Sequence, residues 1–415
     1  MLYYEFRKNF LTRRRLILLA VCLLLNWAGI YYSCAFFRGR GNGLPALLNY
    51  VDENLRGELT LEKVNLVIDE TQRLEALTQD MTASRAYNPD TLTGNIISDA
   101  FMFQFDIYPA VRYAYSYYYF AENLVARAAG NVRFYDALGN LADRRLNEKI
   151  VRDFQGRKID QFHLMFGARM FALYDFSAYL FALFCVFVIS PVLSGEKEAE
   201  MTSLLMTTRR ARRNLLPKKI LYCLSATGLL SLLFTLSDVA GFLLFSPIDG
   251  FFDPIYAIEL FEKTPLTCSI AGYIAITFLC RTLALWTIAA FLLLISTWID
   301  KTMIIFLAAA AIVSGIYFIP APNLDIIAPI DLLHAGLLLK SRYLFAPYAN
   351  LNLFGYPVSA YIVVICVQLV SQLVFIRLAF FRFAKIYRVG TGRSGKEEKW
   401  IWRALNAESW SGRIS

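Results

Sequence analysis

Six stretches of this chain are too long and too apolar for the core of a small soluble domain. They cover residues 16–37, 171–193, 220–245, 268–298, 302–318 and 357–379. About 20 apolar residues, rising 1.5 Å each, cross the ~30 Å hydrocarbon layer of a bilayer. The expected fold class is an all-α integral membrane protein with six transmembrane helices. A mainly helical extracytoplasmic domain, residues 38–170, is expected between the first and second of them. Composition agrees: 57% of the 415 residues are hydrophobic and the mean hydropathy is +0.45.

The net charge of +9 is distributed as the positive-inside rule expects of a membrane protein, and not as a nucleic-acid surface. Basic residues cluster at Arg7, Lys8, Arg13, Arg14 and Arg15, between Arg209 and Lys219, and after Arg377. Both termini are therefore expected on the cytoplasmic side of a bacterial plasma membrane. Residues 1–15 mix aromatic and basic side chains and read as an amphipathic helix on the inner membrane face. No small-residue cleavage site follows them, as a signal peptide would require. Residues 382–415 form a basic cytoplasmic tail.

Within 38–170, Leu61, Val64, Val67, Leu74 and Leu77 follow helical spacing, and 136–162 reads as another helical region. Tyr113, Tyr115, Tyr117, Tyr118 and Tyr119 read as domain core and membrane-interface anchors. Residues 319–356, broken by Pro320, Pro322, Pro329 and Pro347, are expected to form short re-entrant or interfacial helices on the outer side. Of the seven cysteines none has metal-ligand spacing; Cys34 and Cys268 lie near the outer ends of two spans and could pair. His163 and His334 are the only histidines, too few and too isolated for a His-based catalytic or metal site. No HExxH, GxSxG or paired intramembrane aspartate motif marks an enzyme.

Four polar residues inside the spans are candidate intramembrane sites. Arg281 lies near the middle of the fourth, where a lone charge is costly. Asp238 in the third and Asp175 in the second are its candidate partners, with Asp238 nearer in depth. Asn26 in the first span reads as an interhelical hydrogen-bonding group.

The stretch between the second and third spans, SGEKEAEMTSLLMTTRRARRNLLPKK from Ser194 to Lys219, reads as a short helix, 196–206, with an acidic start and a basic end. Glu196, Glu198 and Glu200 would complement the helix dipole. Met201, Leu204 and Leu205 would form an apolar patch fit for a hydrophobic groove. This pattern resembles the first cytoplasmic loop of ABC-2 type transporter permeases. Glu196 matches the opening acid, Met201 the following methionine and Leu204 with Leu205 the leucine pair. Thr207 with Thr208 matches the hydroxyl pair, and Arg209 with Arg212 the basic positions. Glu200 and Ala211 stand where that family carries glycine.

The resemblance implies an exporter subunit without catalytic residues of its own, working by alternating access and paired with a second permease as a homodimer or heterodimer. Its partner would be a separate ABC ATP-binding subunit carrying ATP and magnesium, since this chain has no GxxxxGK[ST] loop. The loop helix would couple that ATPase to the spans. The alternative class is a membrane sensor whose outer domain binds a ligand and signals inward without transport.

Overall fold

A computed structural model describes residues 2–38, 44–79, 92–201, 209–246, 250–318 and 336–389. Their architecture follows from two kinds of helical sequence. Helices apolar all round pack into a bundle, and amphipathic helices with one apolar stripe build a separate unit beside it.

The bundle begins with α1 (Leu2–Asn9) and α2 (Arg13–Arg38). It continues with α8 (Phe166–Leu173), α9 (Phe176–Ile189) and α10 (Pro191–Glu198). Then come α11 (Arg209–Phe245), α12 (Ile270–Ile295) and α13 (Thr302–Phe318). The described residues end with α14 (Gly336–Leu339), α15 (Arg342–Phe345) and α16 (Ala360–Val389). Among the described residues five helical stretches are long and apolar enough to cross a membrane: Arg13–Ala35, Phe166–Glu198, Leu215–Phe245, Ile270–Ile295 and Ala360–Lys385. The 17-residue Thr302–Phe318 is apolar but shorter. This is the character of a multi-pass membrane protein. α12 lies at the centre, packed against α9, α11 and α16, and is buried along most of its length.

The second unit contains α3 (Leu44–Asn54), α4 (Leu61–Thr78) and α5 (Ile96–Met102), followed by a π-helical turn (Phe103–Ile107). It is completed by α6 (Tyr108–Ala137) and α7 (Leu141–Phe154). Its own core gathers Val64, Val67, Leu74, Phe103, Val111 and Phe162. Leu61, at the first position after the Thr60 cap, is exposed instead. α6 and α7 form an antiparallel hairpin whose turn uses Gly139 at φ 69°, a left-handed conformation that glycine adopts without strain. Asn140 then caps α7 by accepting the Asp143 N–H.

Two expectations are corrected, and one possible pairing is absent. The last long helix begins at Ala360. Residues 350–359 instead form a β-hairpin, β1 (Asn350–Leu353) with β2 (Tyr356–Ser359). Pro357 fits there, in a strand that pairs only with β1 among the described residues, because it needs no donor on the open side. The two short helices α14 and α15 do precede the hairpin, while residues 319–335 lie outside the described residues. The helix expected to open at Glu196 also differs there: Glu196–Glu198 end α10, Glu200 takes a left-handed φ of 53°, Met201 is helical again, and 202–206 lie outside the described residues. Finally, Cys34 and Cys268 are not joined by a disulfide.

The second unit is tied to the bundle at two places. At the first, Tyr113 donates to the Tyr256 carbonyl (2.7 Å) and Tyr117 stacks on the Tyr256 ring at 5.0 Å. Arg157 donates to the Thr264 carbonyl (2.8 Å), and His163 meets Asp253 at 2.6 Å. Burial pushes the Tyr117 phenol up to about 12. At the second, Lys149 reaches Asn350 and Ser359, both at 2.9 Å, and Arg145 donates to the Gly355 carbonyl (3.0 Å).

Candidate functional site

Two polar constellations stand out in the bundle, one at the end that carries α1 and one at depth. The first is built around Lys219. Leu215, Leu216, Lys219, Tyr222, Cys223 and Ala226 are all buried, and their spacing is that of one helical stripe. Lys219 on α11 therefore points into the interior of the bundle, where an ammonium persists only if paired. Its Nζ lies 2.9 Å from Glu196 and 3.5 Å from Glu5, and it donates to the Val192 carbonyl. Lys8 reaches the same Glu196 oxygen at 3.1 Å. Glu5 in turn accepts from Asn9 at 2.8 Å. The amphipathic α1, the end of α10 and the start of α11 are thereby joined by two acids and two bases.

The neighbouring residues of α10 hold the turn between α12 and α13. Lys197 donates to the carbonyls of Ser296 (2.8 Å) and Thr297 (3.1 Å) and pairs with Asp300 at 3.0 Å. A cation there satisfies free carbonyls at a helix C-terminus and complements its dipole. Glu198 accepts the N–H of Thr302 at 3.3 Å, the matching arrangement at the N-terminus of α13. Ser194 and Thr302 hydroxyls meet at 3.0 Å.

These positions revise the roles read from the sequence. Glu196 and Glu198 occupy the last turn of α10, not the first turn of a loop helix, and Glu196 is buried against cations. Glu200 follows the helix in its left-handed conformation, and Met201 is exposed. Leu204 and Leu205 lie outside the described residues. Arg209 and Arg212 fall in the first turns of α11. Sequence reasoning missed Lys219 and Glu5 as pairing groups. The apolar stripe running through Lys219 was the available signal.

The second constellation lies between α2, α9, α11 and α12. Asp238 is fully buried and accepts three hydrogen bonds: from Asn26 Nδ2 (2.7 Å), Ser177 Oγ (2.6 Å) and Arg281 Nη1 (3.1 Å). Tyr174 donates to the carbonyl of Asn26 at 2.9 Å, and Arg281 Nη2 donates to the Tyr174 carbonyl at 3.4 Å. Asp175 belongs elsewhere. It pairs with Arg342 at 2.9 Å, and Arg342 also donates to the Leu173 carbonyl (2.9 Å). The two guanidinium groups thus serve carbonyls freed where the helix breaks between α8 and α9. A carboxylate with three donors and a paired cation has little capacity left for a ligand. Its physical role is to fasten four helices at a depth where unpaired charge is excluded.

No protein-family model matches this chain, and no curated protein or solved structure matches it either.

Proposed function

We propose that this chain is the membrane-spanning subunit of an ATP-driven exporter of the ABC-2 type. It would have six spans, both termini in the cytoplasm and residues 38–170 outside. The end of the bundle bearing α1 would then be cytoplasmic. Charge placement supports that orientation: Lys8, Arg15, Lys219, Lys301 and Arg382 belong to this end, with Arg382 set over the Trp298 ring at 5.1 Å.

The observation that carries the reading is the stitching of α10. Through Glu196, Lys197 and Glu198 it is bonded to α1, α11 and both sides of the α12–α13 turn. The motif segment beginning at Met201 leaves directly from this block. A force applied there by a soluble ATPase would reach several spans at once. The ATPase, with its ATP and magnesium, is a separate chain, and a second permease completes the transporter.

The test is co-purification of an ABC ATP-binding subunit with the tagged full chain. Leu204→Asp puts a charge where a hydrophobic groove is expected, at a cost of several kcal/mol. It should abolish recovery of the ATPase while leaving the yield of the membrane chain unchanged. Normal recovery would reject this segment as the grip and favour a membrane sensor without transport.

A further inference from the structure

Helix α1 has two unlike faces. Toward the bundle, Glu5 and Asn9 are buried, and Phe6 meets the Tyr222 ring edge-on at 5.0 Å. Glu5 faces Lys219 and Lys8 reaches Glu196. Successive helical residues turn by about 100°, which puts Tyr3, Tyr4 and Arg7 together on the other side. All three are exposed, Tyr3 at 72% and Tyr4 at 62%.

α2 continues this surface. Arg13 and Arg14 are exposed at its start, whereas Arg15 donates to the Lys8 carbonyl at 3.2 Å. From Arg13 an exposed stripe runs on through Ile17, Val21 and Leu24, at the spacing of a single helix face. It belongs to the first of the candidate membrane spans, where an exposed apolar stripe meets lipid tails. Arginines at the end of such a stripe stand at the level of the headgroup phosphates, and tyrosines concentrate at the same level.

Charge selects the headgroup. Residues 1–15 hold five bases and a single acid, Glu5, which is buried and faces Lys219. Among the described residues, Arg7, Arg13 and Arg14 have no ion-pair or hydrogen-bond partner. The other acids of this end do not offset them. Glu196 faces Lys8 and Lys219, and Asp300 faces Lys197. Glu198 and Glu200 are followed in the chain by six bases between Arg209 and Lys219. The exposed face is therefore positive, and it matches an anionic lipid surface.

We propose that Tyr3, Tyr4, Arg7, Arg13 and Arg14 form a docking surface for anionic phospholipid headgroups. α1 is then clamped between a lipid leaflet and the buried Lys219 cluster. The inference rests on the multi-pass character of the chain and holds in either orientation, so it is independent of the exporter reading.

The test uses the purified full chain in nanodiscs of phosphatidylcholine, with a fluorophore on Leu11→Cys in a chain otherwise free of cysteine. Leu11 is exposed between the arginines of the two helices. Phosphatidylglycerol or phosphatidylcholine bearing a quencher near the top of one acyl chain is added as a minor lipid. Half-quenching should need about fivefold less phosphatidylglycerol than phosphatidylcholine, the factor expected of a basic residue beside an anionic surface. Arg7→Gln combined with Arg13→Gln and Arg14→Gln should make the two lipids equivalent, with the variant eluting as the parent does because none of the three side chains is buried. High salt should do the same to the parent by screening. Equal quenching by both lipids in the parent, no quenching by either, or a preference that survives the triple variant or high salt would each overturn the proposal. So would loss of the preference on adding inorganic phosphate at constant ionic strength, which would mark a site for free anions.

Discussion

At the residue scale, the polar groups of the bundle are arranged by the cost of burying charge. Arg281 and Asp238 are both buried and stand 3.1 Å apart. Removing either leaves the other unpaired in a low-dielectric interior, which costs about 3–5 kcal/mol. Arg281→Ala and Asp238→Ala should therefore each lower the melting temperature of the purified chain sharply. The double variant should be no worse than the worse single, because it leaves no orphan charge. Strictly additive losses would show that the two side chains do not depend on one another. Arg281 was legible in the sequence as a charge within an apolar run, and its two possible partners were legible with it. Its bonds to the Tyr174 carbonyl and to the Ser177 hydroxyl (3.3 Å) were not, since neither a backbone carbonyl nor a serine carries a charge to draw attention to it.

At the scale of elements, close helix approach depends on where side chains are missing. A Cβ placed at Gly29 of α2 would lie 2.6 Å from the Tyr174 hydroxyl, and one at Gly241 of α11 would lie 2.8 Å from Ile30 Cδ1. Glycine at such contacts lets a side chain of one membrane helix press against the backbone of the next. Gly29→Ala should displace the Tyr174 ring, break its bond to Asn26 and destabilise by about 1–3 kcal/mol. Gly228→Ala is the control. Nothing lies within 4 Å of its added methyl, and alanine is the better helix former by about 1 kcal/mol. Thermal melts of the two variants should move in opposite directions; a loss of equal size in both would reject the contact argument. The ends of elements were less legible than their middles. The stop after Glu198 depends on Glu200 adopting a left-handed conformation, which no local residue preference announces. The β-hairpin at 350–359 was hidden because its apolar residues run on into those of α16.

At the scale of the whole molecule, the proposed orientation is open to a direct test. Leu138 lies at the tip of the α6–α7 hairpin and Asp300 in the α12–α13 turn, and both are exposed. Cysteine placed at each, in a chain otherwise free of cysteine, should react differently with an impermeant thiol reagent on intact cells. Leu138→Cys should label and Asp300→Cys should label only after the membrane is opened. Labelling of Asp300→Cys on intact cells would invert the topology, and with it the cytoplasmic assignment of α1. The two ties between the helical units give this arrangement a mechanical consequence. One reaches the loop between α11 and α12, the other the hairpin that leads into α16. A displacement of the second unit is therefore felt by two separate parts of the bundle.

The sequence by itself determined the class: long apolar helices, a charged helical insertion between the first two, and basic residues concentrated at the segments joined at one end. These follow from hydrophobicity and helical period, which act locally and can be counted along the chain. It also marked Arg281, Asp238 and the acidic stretch after Ser194 as chemically unusual. Only the tertiary structure decided what each of them does. Glu196 is read from sequence as a helix-starting acid, but it is buried because Lys219, 23 residues further along the chain, enters the core and requires a counterion. Lys197 and Glu198 find the turn after α12 about 100 residues away. Asp175 and Arg342 meet across 167 residues. Pairings of this kind depend on which helices become neighbours, and that is set by packing of the whole bundle, not by the residues on either side of the charge.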